Sequence, residues 1–169
     1  MYVHSIGELC TPFKLYLLTD TDSKRVHFVD LEHIEQTILV RLPPMFVCNH
    51  TTDRLDLYLP PTHYVTKGFD HIEKSAIMFI NKEKQREQSF ILSTSISENV
   101  PVFNTDNSQS DIKNFLNTFV EPIIALNGIS YDTDTDPNFS FLYETVQLRQ
   151  YKIDPPTLKL NADVNLFLP

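Results

Sequence analysis

Phe139-Ser140-Phe141-Leu142-Tyr143-Glu144-Thr145-Val146-Gln147-Leu148-Arg149-Gln150-Tyr151-Lys152-Ile153 is the clearest β-prone stretch of the chain. Aromatic and β-branched side chains recur through it, and these fit a pleated, half-buried surface. Pro155-Pro156 ends the run, since proline has no N–H to give to a ladder. Beyond the break, Leu158, Leu160, Ala162, Val164, Leu166 and Leu168 fall on every second residue, with Lys159, Asn161, Asp163 and Asn165 between them. A period of two describes a strand with one buried and one wet face. The C-terminal part therefore reads as sheet.

Working back toward the N-terminus, residues 13–19 and 26–29 flank the polar stretch Asp20-Thr21-Asp22-Ser23-Lys24 and read as a β-hairpin. Asp30 stands where a helix N-cap belongs. Leu31, Ile34, Ile38 and Leu42 then recur at helical spacing up to Pro43-Pro44, which predicts a helix over 31–42. Met45–Cys48, Leu55–Leu59 and His63–Thr66 read as short strands. Phe69, Ile72, Ala76 and Ile80 fit a helix capped by Asp70, yet Ala76–Ile80 also reads as a buried strand; the favoured reading is a short helix over 70–75 followed by a hairpin of 76–81 with 89–95. Residues 97–110 read as a loop. Ser110 then caps a second long helix, with Ile112, Phe115, Leu116, Phe119 and Val120 on its apolar face and a stop at Asn127-Gly128. The expected fold is α+β over one domain, 1–169: a mostly antiparallel sheet of seven to nine strands with two or three helices packed on it. The order lacks the regular alternation of a parallel α/β fold.

The 169 residues, 41% hydrophobic with twelve Phe and seven Tyr, supply a core without staples. Cys10 and Cys48 make no disulfide framework, and no secretory or membrane-spanning run is visible, so the expected location is intracellular, cytoplasmic or nuclear. Net charge is −8, and it is not evenly spread. Residues 98–136 hold seven acids and one base, whereas 137–169 hold three of each. Non-specific binding to nucleic acid or to an anionic membrane needs a basic surface, so the balance argues against both. Gly7, Gly68 and Gly128 are the only glycines, too few and too scattered for a phosphate-cradling loop. No cofactor is expected.

Four constellations invite a chemical reading. Asp132, Asp134 and Asp136 resemble the start of a calcium loop, but Pro137 and Tyr143 stand where that loop needs Gly and Glu. A solvated acidic loop, open to a partner, fits better. Cys48 and His50, with His63 and His71 downstream, lack the paired spacing of structural zinc. No metal site and no catalytic residue is assigned to them. Lys82, Lys84 and Arg86 are the densest local bases, mixed with acids, and are a candidate contact for phosphate or an acidic partner. Pro43-Pro44, Pro60-Pro61 and Pro155-Pro156 serve as element stops rather than as polyproline ligands.

The run from strand 13–19 to Phe28-Val29-Asp30-Leu31-Glu32-His33-Ile34 loosely resembles the opening of the Bro-N type of domain found in large DNA viruses and phages. That resemblance implies a hairpin leading into a helix, and an association with DNA. Three functions follow in order. The first is a non-enzymatic protein–protein interaction or structural module, its acidic middle meeting a basic partner. The second is a nucleic-acid-associated protein with Lys24, Arg25, Arg41, Lys82, Lys84 and Arg86 gathered on one face. The third is a carboxylate-dependent hydrolase.

Overall fold

Ten strands and two helices form within residues 1–9, 15–19, 25–60, 63–79, 91–131 and 139–151, the part of the chain that this computed structural model describes. In chain order they are β1 (Val3–Ser5), α1 (Ile6–Leu9), β2 (Leu15–Thr19), β3 (Arg25–Asp30), β4 (Ile38–Arg41), β5 (Met45–His50), β6 (Arg54–Tyr58), α2 (Tyr64–Phe79), β7 (Ile91–Ile96), β8 (Val102–Phe103), β9 (Phe119–Tyr131) and β10 (Phe139–Tyr151).

The sheet closes on itself. β5 pairs with β6, β6 with β7, β7 with β10, β10 with β9, and β9 returns to β5. Only β7–β10 runs parallel within this ring. Numbered along the chain, the five barrel strands therefore follow the order 1-2-3-5-4-1. Closure removes open edges from the barrel. The interior is filled by residues such as Val47, Leu55, Leu57, Val120, Ile124 and Leu148, each fully buried. β9 is long enough to take β4 and β3 on the same edge beyond β5, which attaches β1 and β2 as an N-terminal extension.

Prolines set the breaks in this layout. β4 and β5 lie in succession along β9, separated by Pro43-Pro44. Pro122 sits in β9 opposite that gap. Its carbonyl accepts from Leu42 N at 3.0 Å. The N–H it lacks faces the same edge, where the neighbouring strand is already interrupted, so no ladder bond is lost. Gly128, at φ 110°, lies in β9 beside a bulge, and a Cβ there would stand 2.0 Å from the carbonyl oxygen of Val26. Only glycine lets β3 approach β9 this closely.

α2 joins the second barrel strand to the third. Val65, Phe69, Ile72 and Ala76 recur along one face and are each at most 1% exposed. Phe69 meets the ring of Tyr143 edge-on at 5.3 Å. Full burial of a side chain of this size contributes about 1.5–3 kcal/mol.

Several expectations hold and several do not. The hairpin of β2 and β3, the strands β5, β6 and β7, and the long β10 are present as read. α+β holds, but the sheet is mixed rather than mostly antiparallel, because β1–β4, β7–β10 and β8–β10 are parallel. The helix over 31–42, and with it the Bro-N-like helix start, is absent. Residues 31–36 form turns, and Ile38-Leu39-Val40 join β9 as β4. Leu31 and Ile34, half of the supposed apolar stripe, are 54% and 68% exposed. Asp30 does accept from Glu32 N at 2.9 Å, yet this closes a local turn rather than capping a helix.

The helix over 110–126 is replaced by turns and by β9, where Val120, Ile123 and Ile124 favour the sheet. His63–Thr66 and 76–79 belong to or adjoin α2 rather than to strands; the contiguous apolar run at 76–79 leaves Met78 80% and Phe79 48% exposed. β7 consequently pairs with β6 and β10, while 76–79 are helical. β8 lies within the stretch read as loop, and β1 and α1 were not anticipated. The strand read over 158–168 lies outside the described residues.

Candidate nucleic-acid interface

The alternation Arg54-Leu55-Asp56-Leu57-Tyr58 sends Leu55 and Leu57 into the barrel and the other three outward. β7 alternates likewise, with Leu92, Thr94 and Ile96 inside and Ile91, Ser93 and Ser95 outside. The register matches these outward residues in three rungs: Arg54 with Ser95, Asp56 with Ser93, and Tyr58 with Ile91. Tyr58 is 46% and Ile91 43% exposed. One end of this strip is polar and the other offers an aromatic face.

The polar end is tightly ordered. Arg54 Nε donates to Asp56 Oδ1 at 2.7 Å, Arg54 Nη2 to Ser93 Oγ at 3.1 Å, and Asn49 Nδ2 to Asp56 Oδ2 at 3.1 Å. Burial disfavours the Asp56 carboxylate, but the hydrogen bonds from Arg54, Ser93 and Asn49 outweigh it and hold its pKa below the usual 3.8. The same carboxylate raises the pKa of Arg54, chiefly through that hydrogen bond. Asp56 thus fixes Arg54 in one orientation while more than half of the arginine stays in solvent.

From this end the strip opens into a groove of about 950 Å³. Arg25 and His27, both exposed on β3, line it with the turn 34–37, the β5–β6 turn at Asp53, and Phe141 and Tyr143 of β10. Phe141 is half-buried and stacks on the buried Tyr143 at 5.7 Å and 13°; Phe139 meets Phe141 edge-on at 5.8 Å. The β5–β6 turn is braced by Thr51 N donating to Arg54 O at 2.8 Å and Thr51 Oγ1 to Asp53 Oδ1 at 2.8 Å. A second cleft, about 840 Å³, lies between residues 96–102 and 109–116. Its base Lys113 is set against Glu98 and Asp111, with no exposed pair of arginines.

The groups singled out in the sequence fare unevenly. Lys24, Lys82, Lys84, Arg86, Asp132, Asp134 and Asp136 all lie outside the described residues. Arg25 is in the groove, while Arg41 is elsewhere, paired with Glu121. Cys48, His50 and His63 do not converge. Cys48 Sγ donates to Asp56 O at 3.3 Å, His50 packs on Phe115 and His63 on Tyr64. Arg54, Tyr58 and Phe141 were not picked out as site residues. The clean alternation at 55–59 was enough to turn Asp56 and Tyr58 away from the barrel interior, but it did not show that Asp56 is buried there under its partners.

A closed five-stranded barrel in the order 1-2-3-5-4-1 has the strand arrangement of the OB fold. No sequence family matches this chain, and no curated protein sequence does. Among solved structures, the chain is similar to the single-stranded DNA-binding protein from bacteriophage Enc34 in complex with ssDNA. The TM-score is 0.48 at 12% identity, over 85% of this chain and 98% of that one. A second structure of the same phage protein gives a TM-score of 0.47 at 12% identity, over 90% of this chain and 96% of that one. The expectation of a protein–protein interaction or structural module is accordingly corrected. The solved structures named above, to which the chain is similar, are single-stranded DNA-binding proteins rather than protein–protein interaction modules.

Proposed function

We propose that the barrel binds single-stranded nucleic acid across the outer face of β6 and β7 and into the adjoining groove. The observation that carries this reading is the position of the aromatic and cationic groups. Tyr58 presents an exposed ring, and Arg25 and Arg54 present guanidinium groups, on the outer face of β6 and along the adjoining groove, the surface that this barrel class uses. A base stacks on the ring, a contact that tolerates any sequence because every base has a π-face. The arginines meet phosphate, Arg54 in the orientation set by Asp56 and Arg25 from the groove wall.

Charge limits the mode of binding. The chain carries −8 overall, so long-range attraction to a polyanion is weak and the affinity comes mainly from stacking. Duplex DNA, whose bases are already stacked and paired, cannot supply these contacts. Lys82, Lys84 and Arg86 lie in the sequence between α2 and β7 and are proposed as further phosphate contacts.

Fluorescence anisotropy with a labelled oligothymidylate of about 16 nucleotides, the upper site size of a single barrel, tests the proposal. Unlabelled single strand displaces the label, whereas a duplex of mixed sequence at equal phosphate concentration does not. Absence of binding at low salt, or equal displacement by duplex, rules it out.

A further inference from the structure

His4 of β1, Asp30 at the end of β3 and His33 in the turn after it, none of them lining the groove themselves, meet around one carboxylate oxygen. His4 Nε2 and His33 Nδ1 each stand 2.8 Å from Asp30 Oδ2. The three candidate ligand atoms all lie within 4.8 Å of one another. His4 and Asp30 are 2% and 1% exposed, and His33 is half-buried. The ring of Tyr2 stacks on His33 at 4.8 Å and 5° and meets His4 edge-on at 4.6 Å, which holds both imidazoles in place.

The hydrogen bonding of His4 is incomplete. Its Nδ1 is buried and has no hydrogen-bond partner, with Glu8 Oε2 standing 3.7 Å away. A neutral imidazole carries one proton. Placed on Nε2, the proton serves Asp30 but leaves a buried lone pair at Nδ1 beside the Glu8 carboxylate. Placed on Nδ1, it serves the Glu8 side but sets the Nε2 lone pair against Asp30 Oδ2. A cation on the Nε2 side resolves both, because Nε2 and Oδ2 then share the ion while Nδ1–H faces Glu8. That is the carboxylate–histidine–metal relay of outer-shell design.

We propose that His4, Asp30 and His33 form a binding site for a divalent transition metal of the zinc class. Two imidazoles and one carboxylate suit zinc and its neighbours, whereas magnesium and calcium take oxygen donors. Metal bonds of about 2.0–2.1 Å in a tetrahedron hold the ligand atoms about 3.3 Å apart, so Asp30 Oδ2 retreats by about 0.5 Å on binding. The fourth position falls to water on the His33 side, where the cluster reaches solvent. The ion would tie β1 to the turn that follows β3, joining residues 26 apart in sequence.

The test uses the full chain, stripped with a chelator, dialysed and titrated with Co²⁺ and Zn²⁺. One Co²⁺ per chain appears with the intense visible absorption of a four-coordinate site, Zn²⁺ displaces it and raises Tm, and Mg²⁺ at the same concentration does neither. His33→Ala removes a half-exposed ligand, and Asp30→Asn keeps the shape of the carboxylate while removing its charge. Both weaken Co²⁺ binding more than about 100-fold, beyond the 10–100-fold attributed to outer-shell partners. His33→Ala melts within a few degrees of the metal-free wild type. Failure of the wild type to bind one ion, or binding by His33→Ala as tight as wild type, overturns the assignment. This outcome is independent of nucleic-acid binding.

Discussion

The hydroxyls of Thr94 and Thr145 share a buried hydrogen bond of 2.7 Å across the parallel seam between β7 and β10. Both residues are at most 2% exposed. This seam is where the sheet becomes a barrel. Thr94 Oγ1 also reaches Leu55 O at 3.4 Å on β6, so one threonine touches both neighbours of its strand. The closed barrel and everything placed on its outer face depend on this contact line.

Removing the Thr94 hydroxyl strands that of Thr145 in an apolar interior, whereas removing the Thr145 hydroxyl leaves Thr94 only its longer bond to Leu55 O. Thr94→Val or Thr145→Val alone is expected to lower stability by about 1–3 kcal/mol, the cost of a buried unsatisfied group. The double variant replaces both partners with similar shapes and loses less than the two singles together. Urea unfolding of the four proteins gives the coupling energy, and strict additivity would mean that the bond does not form.

Gly128 is held at φ 110° against the backbone of β3. Gly128→Ala meets both an unfavourable backbone conformation, costing about 1–3 kcal/mol, and a carbonyl oxygen that cannot step aside. A loss at the upper end of that range or beyond is expected in urea unfolding. A variant as stable as the wild type would contradict the close approach of β3 and β9.

Acid should loosen the polar end of the strip. The folded Asp56 carboxyl has a pKa below 3.8, so its ionised form is favoured by folding. The stability it contributes is present above the unfolded pKa near 3.8 and is lost as pH falls through the lower folded value. Asp56→Asn removes this component, so the difference in stability between wild type and variant shrinks on acidification from pH 5 to pH 2.5. A difference that does not change with pH would exclude the ionised Asp56–Arg54 contact.

On the binding face, Tyr58→Ala is expected to weaken single-strand binding by about 1–3 kcal/mol, the range for loss of one stacking aromatic, while leaving Tm near that of the wild type. Arg25→Ala weakens binding less at high salt than at low salt and reduces the slope of log K against log salt by about 0.7, the single-strand value per phosphate neutralised. Anisotropy titrations at several salt concentrations separate the two effects. An unchanged slope would remove Arg25 from the interface.

The strands were legible where one wet and one dry face alternate, as at 54–58 and 91–96, and where aromatic and β-branched residues run on, as in β10. The helices misled where spacing alone spoke. Leu31, Ile34, Ile38 and Leu42 have helical spacing, yet Ile38-Leu39-Val40 are also a sheet sequence, and the open edge of β9 decided between them. The segment 64–79 shows the converse, since an apolar run at 76–79 looks like strand when the amphipathic stripe beginning at Val65 is not extended into it. Barrel closure was out of reach. It rests on β10 pairing with β7 on one edge and β9 on the other, and strand partners are set by tertiary contacts that no local pattern records. The site followed the same rule, because Arg25 of β3 and Arg54 of β6, distant in sequence, line one groove only once β3 is attached to β9 and β6 to β7.

The most direct measurement is photocrosslinking of a 5-iodouracil-substituted single strand to the full chain, with the attached peptides identified by mass spectrometry. Binding across β6, β7 and the groove puts the crosslinks on Tyr58 and on Phe141 or its neighbours in β10, and Tyr58→Ala reduces the first. Crosslinks confined to the cleft between residues 96–102 and 109–116, or none at a concentration that saturates anisotropy, would contradict the placement of nucleic acid on the outer face of β6 and β7.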